Sequence, residues 1–158
     1  MEPFPQEPEE VVRAYAALVY RLAYARTGSR TDADDIFQEV FFRYLRAQPR
    51  LASPEHQKAW FLRVTVNCCH KLFTSPWRKR TVPLEDQDLT AAPPEDPALQ
   101  EALEALSPHY RTVIHLFYYE ALSVDEIAAV LGRKPATVRT QLTRARRRLR
   151  ALLEEESL

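Results

Sequence analysis

LSVDEIAAVLGRKPATVRTQLTRARRRLR, running from Leu122 to Arg150, holds two helices, a tight break and a one-sided basic charge in one short stretch. Ser123 followed by Glu126 at the third helical position is the reciprocal pair that caps a helix start. Val124, Ile127, Ala128 and Leu131 then recur at helical spacing and mark one apolar face. Gly132 ends that helix, because glycine takes the left-handed cap conformation at least cost. Pro135 suits the first turn of the next, where its missing N–H would have had no partner. Two short helices joined across a glycine-containing break read as a helix-turn-helix.

The second helix indicates the purpose of the unit. Val138, Leu142, Ala145 and Leu149 share a narrow arc and face the protein, whereas Ala136, Thr140, Thr143, Arg144 and Arg147 fall opposite, flanked by Arg139, Arg146 and Arg150. Between Arg133 and Arg150 there are eight basic residues and no acidic one. A helix apolar on one side and basic and hydroxylated on the other suits the major groove, its first half reading base edges and its arginines holding phosphates. The alternative, a solvated basic helix in a bundle, accounts poorly for the unbroken sign of the charge, and DNA binding is the expectation.

Working outward, the 158 residues allow one domain or two small ones. With only two glycines and apolar residues at helical rather than alternating spacing, the chain reads as all-α. Net charge is formally zero, but the charges are segregated. His56 to Leu84 carries Lys58, Arg63, Lys71, Arg78, Lys79 and Arg80 without an acid; Thr81 to Tyr110 carries Glu85, Asp86, Asp88, Glu95, Asp96, Glu101 and Glu104 without Lys or Arg. Two basic blocks divided by an acidic one indicate partners that the net charge hides. The acidic opening MEPFPQEPEE is no signal peptide, and the longest apolar runs are too short to span a membrane, so a cytoplasmic location without membrane contact is expected.

Three helices precede the acidic block. The first is expected over about Glu9–Arg26, with Val12, Tyr15, Ala16, Val19 and Leu22 inward, ending near Gly28. Thr31 is expected to cap the second, where Asp32, Asp34 and Asp35 suit the positive end of the dipole; Ile36, Val40, Phe41, Tyr44 and Leu45 form its apolar side, and Pro49 ends it. Ser53 and Pro54 open the third, which bears Trp60, Phe61, Val64 and Leu72 and runs to about Phe73. Thr81–Pro97 is proline-rich and short of apolar anchors, an extended linker. A short helix over Leu99–Leu106 and another over Pro108–Glu120 behind Ser107 complete the second lobe. The expected organisation is two small helical domains, 1–80 and 98–158, joined by an acidic linker over 81–97.

Three motifs, in order, resemble the extracytoplasmic-function (ECF) sigma factors of bacterial RNA polymerase, within the sigma-70 family. They are Ala33-Asp34-Asp35-Ile36-Phe37-Gln38-Glu39-Val40-Phe41 in the second helix, Ala59-Trp60-Phe61-Leu62-Arg63-Val64-Thr65-Val66-Asn67 in the third, and Thr137-Val138-Arg139-Thr140-Gln141-Leu142-Thr143-Arg144-Ala145-Arg146 in the last. The resemblance covers all but the first eight or so residues.

It implies roles for particular side chains. Asp35, Gln38, Glu39, Phe41 and Phe42 would dock on the polymerase's largest subunit, although a place in the core competes for Phe41 and Phe42, most of all for Phe41, while Asp35 and Gln38 have little reason to be buried. The third helix and the loop before it would take the minus-ten promoter element as melted single strand, with one base flipped into a pocket. Asn67 would read a base edge, the Gln48–Gln57 loop would form the wall, and Lys58, Arg63, Lys71, Arg78, Lys79 and Arg80 would supply positive charge. The helical position of Trp60 favours the core, which leaves Trp77 as the better stacking aromatic. Relatives often carry Asp then Arg after the Asn, where this chain has Lys71 then Thr74.

The second lobe would read the minus-thirty-five element as duplex. Arg139, Thr140, Thr143 and Arg144 would touch bases, and Arg133, Lys134, Arg147 and Arg150 phosphates. Gln141 stands where relatives often have a basic residue, and Ala136 where many have glycine. The acidic linker either imitates RNA in the polymerase channel or merely solubilises. The resemblance further implies core RNA polymerase, promoter DNA and an anti-sigma factor as partners.

No catalytic constellation is legible: the four histidines His56, His70, His109 and His115 are dispersed, and no phosphate-binding glycine loop occurs. Cys68, Cys69 and His70 invite a zinc reading, but adjacent ligands on one helix diverge, so buried thiols without metal or cofactor are expected. The sequence is thus expected to encode a non-enzymatic initiation factor. The rival reading is a helix-turn-helix regulator binding duplex DNA without polymerase.

Overall fold

The computed structural model describes residues 4–72 and 96–156. Every regular element among them is helical, and the elements group into two compact units. The first holds α1 (Pro8–Thr27), α2 (Arg30–Ala47) and α3 (Pro54–Leu72); the second holds α4 (Pro97–Ala105), α5 (Pro108–Ile114), α6 (Val124–Leu131) and α7 (Pro135–Glu156). None is long and apolar enough to cross a membrane.

In the first unit each helix packs on the other two. Helices with two neighbours need a wide apolar arc, which is why the buried side of α1 takes in Val11, Leu18, Tyr20 and Ala23 beyond the expected Val19 and Leu22. Val12, Tyr15 and Ala16 are only half-buried. The Phe61 ring, fully buried on α3, is the hub. Tyr15 stacks on it at 4.7 Å, with Phe41 at 5.4 Å, Tyr44 at 5.3 Å and Trp60 edge-on at 4.9 Å. Aromatic pairs in such offset and edge geometries contribute about 0.5–1.5 kcal/mol each beyond area burial. Trp60 itself is half-buried, and Leu62, Thr65, Cys68 and Cys69 carry more of the inward face than Val64.

The helix ends follow local chemistry. Gly28 caps α1 at φ 66°, its N–H bonded to the Tyr24 carbonyl at 2.8 Å. Ser29, not Thr31, caps α2, its hydroxyl accepting from the Asp32 N–H at 3.2 Å. A serine directly after the glycine closes one helix and opens the next with the shortest connection, so Thr31 falls inside the first turn. Gln48 ends α2 in the left-handed region at φ 42°, just ahead of Pro49.

In the second unit α4, α5 and α6 all pack on α7, around Val113, Leu116, Ile127, Val138 and Leu142. Asp96, read from sequence as linker, caps α4, and its carboxylate accepts from the Ala98 N–H at 2.9 Å. The expected Pro108–Glu120 helix is α5 continued by a π-helical turn over His115–Tyr119. Ala121 follows at φ 57°.

Candidate nucleic-acid interface

The helix-turn-helix is built as its residues dictate. The Ser123 hydroxyl accepts from the Glu126 N–H at 3.1 Å, and the Glu126 carboxylate accepts from the Ser123 N–H at 2.9 Å, closing the capping box. Gly132 adopts φ 66° and turns the chain towards Pro135. On α7, Val138, Leu142 and Ala145 are buried and Leu149 is half-buried. That rotation leaves Arg139, Thr140, Thr143, Arg144, Arg147 and Arg150 exposed, with Arg133 and Lys134 exposed just before the helix.

Hydrogen bonds divide this face by chemistry. The Thr140 hydroxyl donates to the Ala136 carbonyl and the Thr143 hydroxyl to the Arg139 carbonyl, each at 3.0 Å. Both therefore offer an incoming ligand oxygen lone pairs and a methyl group, while the arginines supply the donors. Arg146 is engaged by the scaffold: its Nε donates to the Tyr118 hydroxyl at 2.7 Å, and its guanidinium lies 5.1 Å from the Phe117 ring centre. The π-helical turn sets those aromatics, a connection the sequence pattern did not reveal. Gln141 is half-buried and keeps its amide oxygen inside, away from the exposed face.

On α3, Arg63, Asn67 and Lys71 are exposed at a spacing of four and form one stripe. Lys58 does not join them: at about 100° per residue it lies on the side of the helix opposite Asn67, and it is half-buried. Arg78, Lys79, Arg80 and Trp77 lie outside the described residues.

The loop between α2 and α3 borders a cleft of about 470 Å³. Tyr44, Arg50, Leu51 and Gln57 line it, as expected of the Gln48–Gln57 segment, but so do Phe4 and Gln6 from ahead of α1. Sequence reasoning missed these two; the signal was an aromatic and an amide around Pro5 in an otherwise acidic opening.

The face expected to meet polymerase is rearranged on α2. Asp35 is 1% exposed and Phe41 6%, so both belong to the interior, contrary to the expectation for Asp35. The cause is that α2 packs against both α1 and α3, so its buried side is wide enough to take in Asp32, Asp34 and Asp35 together with Ile36 and Phe37. Gln38 is exposed, Phe42 is 57% exposed beneath the Arg46 guanidinium, and Leu45, expected inside, is 50% exposed. These three share one helical face by their spacing. Glu39 is half-buried and binds Arg43 at 2.8 Å.

Burial pushes the Cys68 thiol up to about 11 and the Cys69 thiol up to about 12, with Arg43 and Arg26 respectively opposing the shift. Both are thus kept as neutral thiols. No group of three or more His, Cys, Asp or Glu suited to a metal occurs among the described residues.

Sigma-70 region 2 matches residues 11–79, and sigma-70 region 4 matches residues 97–149. The RNA polymerase sigma factor SigV of Bacillus subtilis is 32% identical, over 88% of this chain and 86% of that protein. The chain is an ECF-type member of the sigma-70 family. The ECF sigma factor SigE of Mycolicibacterium smegmatis is 36% identical over 94% of this chain, which spans 62% of that protein's length. Among solved structures, CnrH in complex with the cytosolic domain of CnrY has a TM-score of 0.68 at 27% identity, covering 94% of this chain and 88% of that one. The sigma factor RpoE of Bartonella quintana, solved with the anti-sigma factor NepR, shares the fold at a TM-score of 0.72 and 19% identity, covering 92% of this chain and 96% of that one.

Proposed function

We propose that this ECF sigma factor binds core RNA polymerase and directs it to a subset of promoters, performing no chemistry itself. The observation that carries the reading is α7, which buries Val138, Leu142 and Ala145 and exposes Arg139, Thr140, Thr143, Arg144 and Arg147 along one face. That face suits the minus-thirty-five element as duplex, the threonines and Arg139 and Arg144 on bases, and Arg133, Lys134, Arg147 and Arg150 on phosphates. Arg63, Asn67 and Lys71 suit the melted minus-ten strand, with the α2–α3 cleft taking a flipped base. Gln38, Phe42 and Leu45 suit polymerase docking, an exposed apolar and aromatic face of the kind found at interface cores.

In this assignment residues 1–80 form the docking and minus-ten domain, 81–95 the linker, and 96–158, which takes in the Asp96 cap and α4, the minus-thirty-five domain. An anti-sigma factor is part of the proposal, supported by CnrH having been solved in complex with the cytosolic domain of CnrY. The cytoplasm is the proposed location, since the polymerase works there.

The test is capture of purified core RNA polymerase by this protein, followed by run-off transcription on a pool of promoter fragments. Stable capture with selective transcripts is expected. Tight sequence-dependent binding to duplex DNA without polymerase capture would replace this reading with an autonomous helix-turn-helix regulator.

A further inference from the structure

The segment ahead of α1 is held in place by a buried amide. Gln57 on α3 is 2% exposed; its Nε2 donates to the Pro5 carbonyl, and its Oε1 accepts from the Tyr15 hydroxyl at 2.9 Å. Both ends of the amide are thereby committed, one to α1 and one to the segment, so the segment has a built position. Its neighbours Phe4 and Gln6 line the cleft with Tyr44 and Arg50. These residues precede the sigma-70 region 2 match, which begins at residue 11.

The chemistry of that cleft is specific. The half-buried Phe4 ring supplies stacking surface, an exposed amide offers both a donor and an acceptor, and a guanidinium supplies positive charge. Its volume of about 470 Å³ falls among small-ligand sites. Aromatic surface, edge-reading amide and cation together are what a single unstacked nucleotide requires.

We propose that Phe4–Gln6 is a reading element for melted DNA: Phe4 stacks on one extruded base of the strand, Gln6 hydrogen-bonds its edge, and Gln57 is the positioning residue that holds both there. The proposal rests on the reading of the first unit as the binder of the melted strand. Because the cleft stays open with the segment in position, Phe4 acts as wall rather than plug. Gln6, with its donor and acceptor, sets the preferred base at one position.

The test uses the full chain assembled with core polymerase and a pool of short single-stranded oligodeoxynucleotides of random sequence, reading affinity and the enriched sequence. Phe4→Ala is expected to weaken binding about tenfold, the worth of one base–aromatic stack, while Phe4→Tyr restores it. Gln6→Glu removes a donor and is expected to change the enriched base at a single position. Gln57→Ala is expected to reproduce the loss seen with Phe4→Ala, and thermal unfolding of Phe4→Ala should match the parent.

Phe4→Ala and Gln6→Glu selecting the parental sequence at parental affinity, while Asn67→Ala loses it, would overturn the proposal and leave the minus-ten reading standing. Tighter binding by Phe4→Ala would also overturn it, making the segment a cover. No single-strand binding by the parent would overturn the proposal and the minus-ten reading together.

Discussion

A buried carboxylate one turn from an arginine is attracted by the guanidinium and penalised by the loss of water. For Asp34 the loss of water wins, and burial holds its carboxyl above the usual range despite Arg30. The folded state therefore binds this proton more tightly than the unfolded chain. At pH 7 the carboxylate is ionised in both states and the burial penalty is fully present; as pH falls through the raised value towards the unfolded value of about 3.9 the penalty is relieved. Asp34→Asn should accordingly raise stability at pH 7, with the gain shrinking in acid, measured by denaturant unfolding at several pH values. Asp35 and Gln38 carry a second expectation. Gln38→Ala with Phe42→Ala should weaken polymerase capture by about tenfold or more without shifting the thermal midpoint, whereas Asp35→Ala should lower the midpoint because that side chain is interior. The sequence could not separate these cases. Asp35 and Gln38 stand almost a turn apart in one motif, and only the two-sided packing of α2 decides which of them reaches solvent.

At the scale of elements, the helix-turn-helix was legible almost to the residue because its signals are local. Ser123, Glu126, Gly132 and Pro135 each act within a few positions of themselves, and the structure realises all four. Ser123→Ala should cost about 1 kcal/mol. Gly132→Ala meets no atom within 4 Å, so only its φ of 66° is penalised, again by about 1–2 kcal/mol. Both are read by chemical denaturation, and both should also weaken duplex binding. On α7, Arg144→Ala should relax base preference in the minus-thirty-five element, and Arg150→Ala should weaken binding evenly across sequences, by selection from a randomised duplex pool. Equal effects would remove the division into base and phosphate roles. Less was legible where an element depends on a distant partner. Thr31 is the expected cap, and Ser29 takes its place because α1 ends at Gly28 directly before it, a boundary set by how α1 and α2 pack. The π-helical turn over His115–Tyr119 has no periodic signature, since one extra residue in a single turn leaves most of the apolar spacing intact. The Phe4 and Gln6 contribution to the cleft depends on Gln57, some fifty positions away in sequence.

At the scale of the whole molecule, charge is partitioned rather than cancelled. A formal net charge of zero would suggest indifference to salt, yet α7 and the residues before it expose Arg133, Lys134, Arg139, Arg144, Arg147 and Arg150 in one region. Duplex binding should therefore fall steeply as salt rises. Arg133→Ala with Lys134→Ala should reduce the slope of log affinity against log salt by roughly 0.9 for each phosphate no longer neutralised, a measurement made by fluorescence anisotropy across a salt series. The acids from Glu85 to Glu104 form the counterweight that brings the total to zero. A polyampholyte sorted in this way has no overall repulsion to keep its copies apart, while its opposite blocks attract one another between molecules. The isolated protein should consequently salt in: clouding in dilute buffer, clearing as electrolyte is added, and clearing equally well when a short DNA duplex displaces the acidic block of a neighbouring copy.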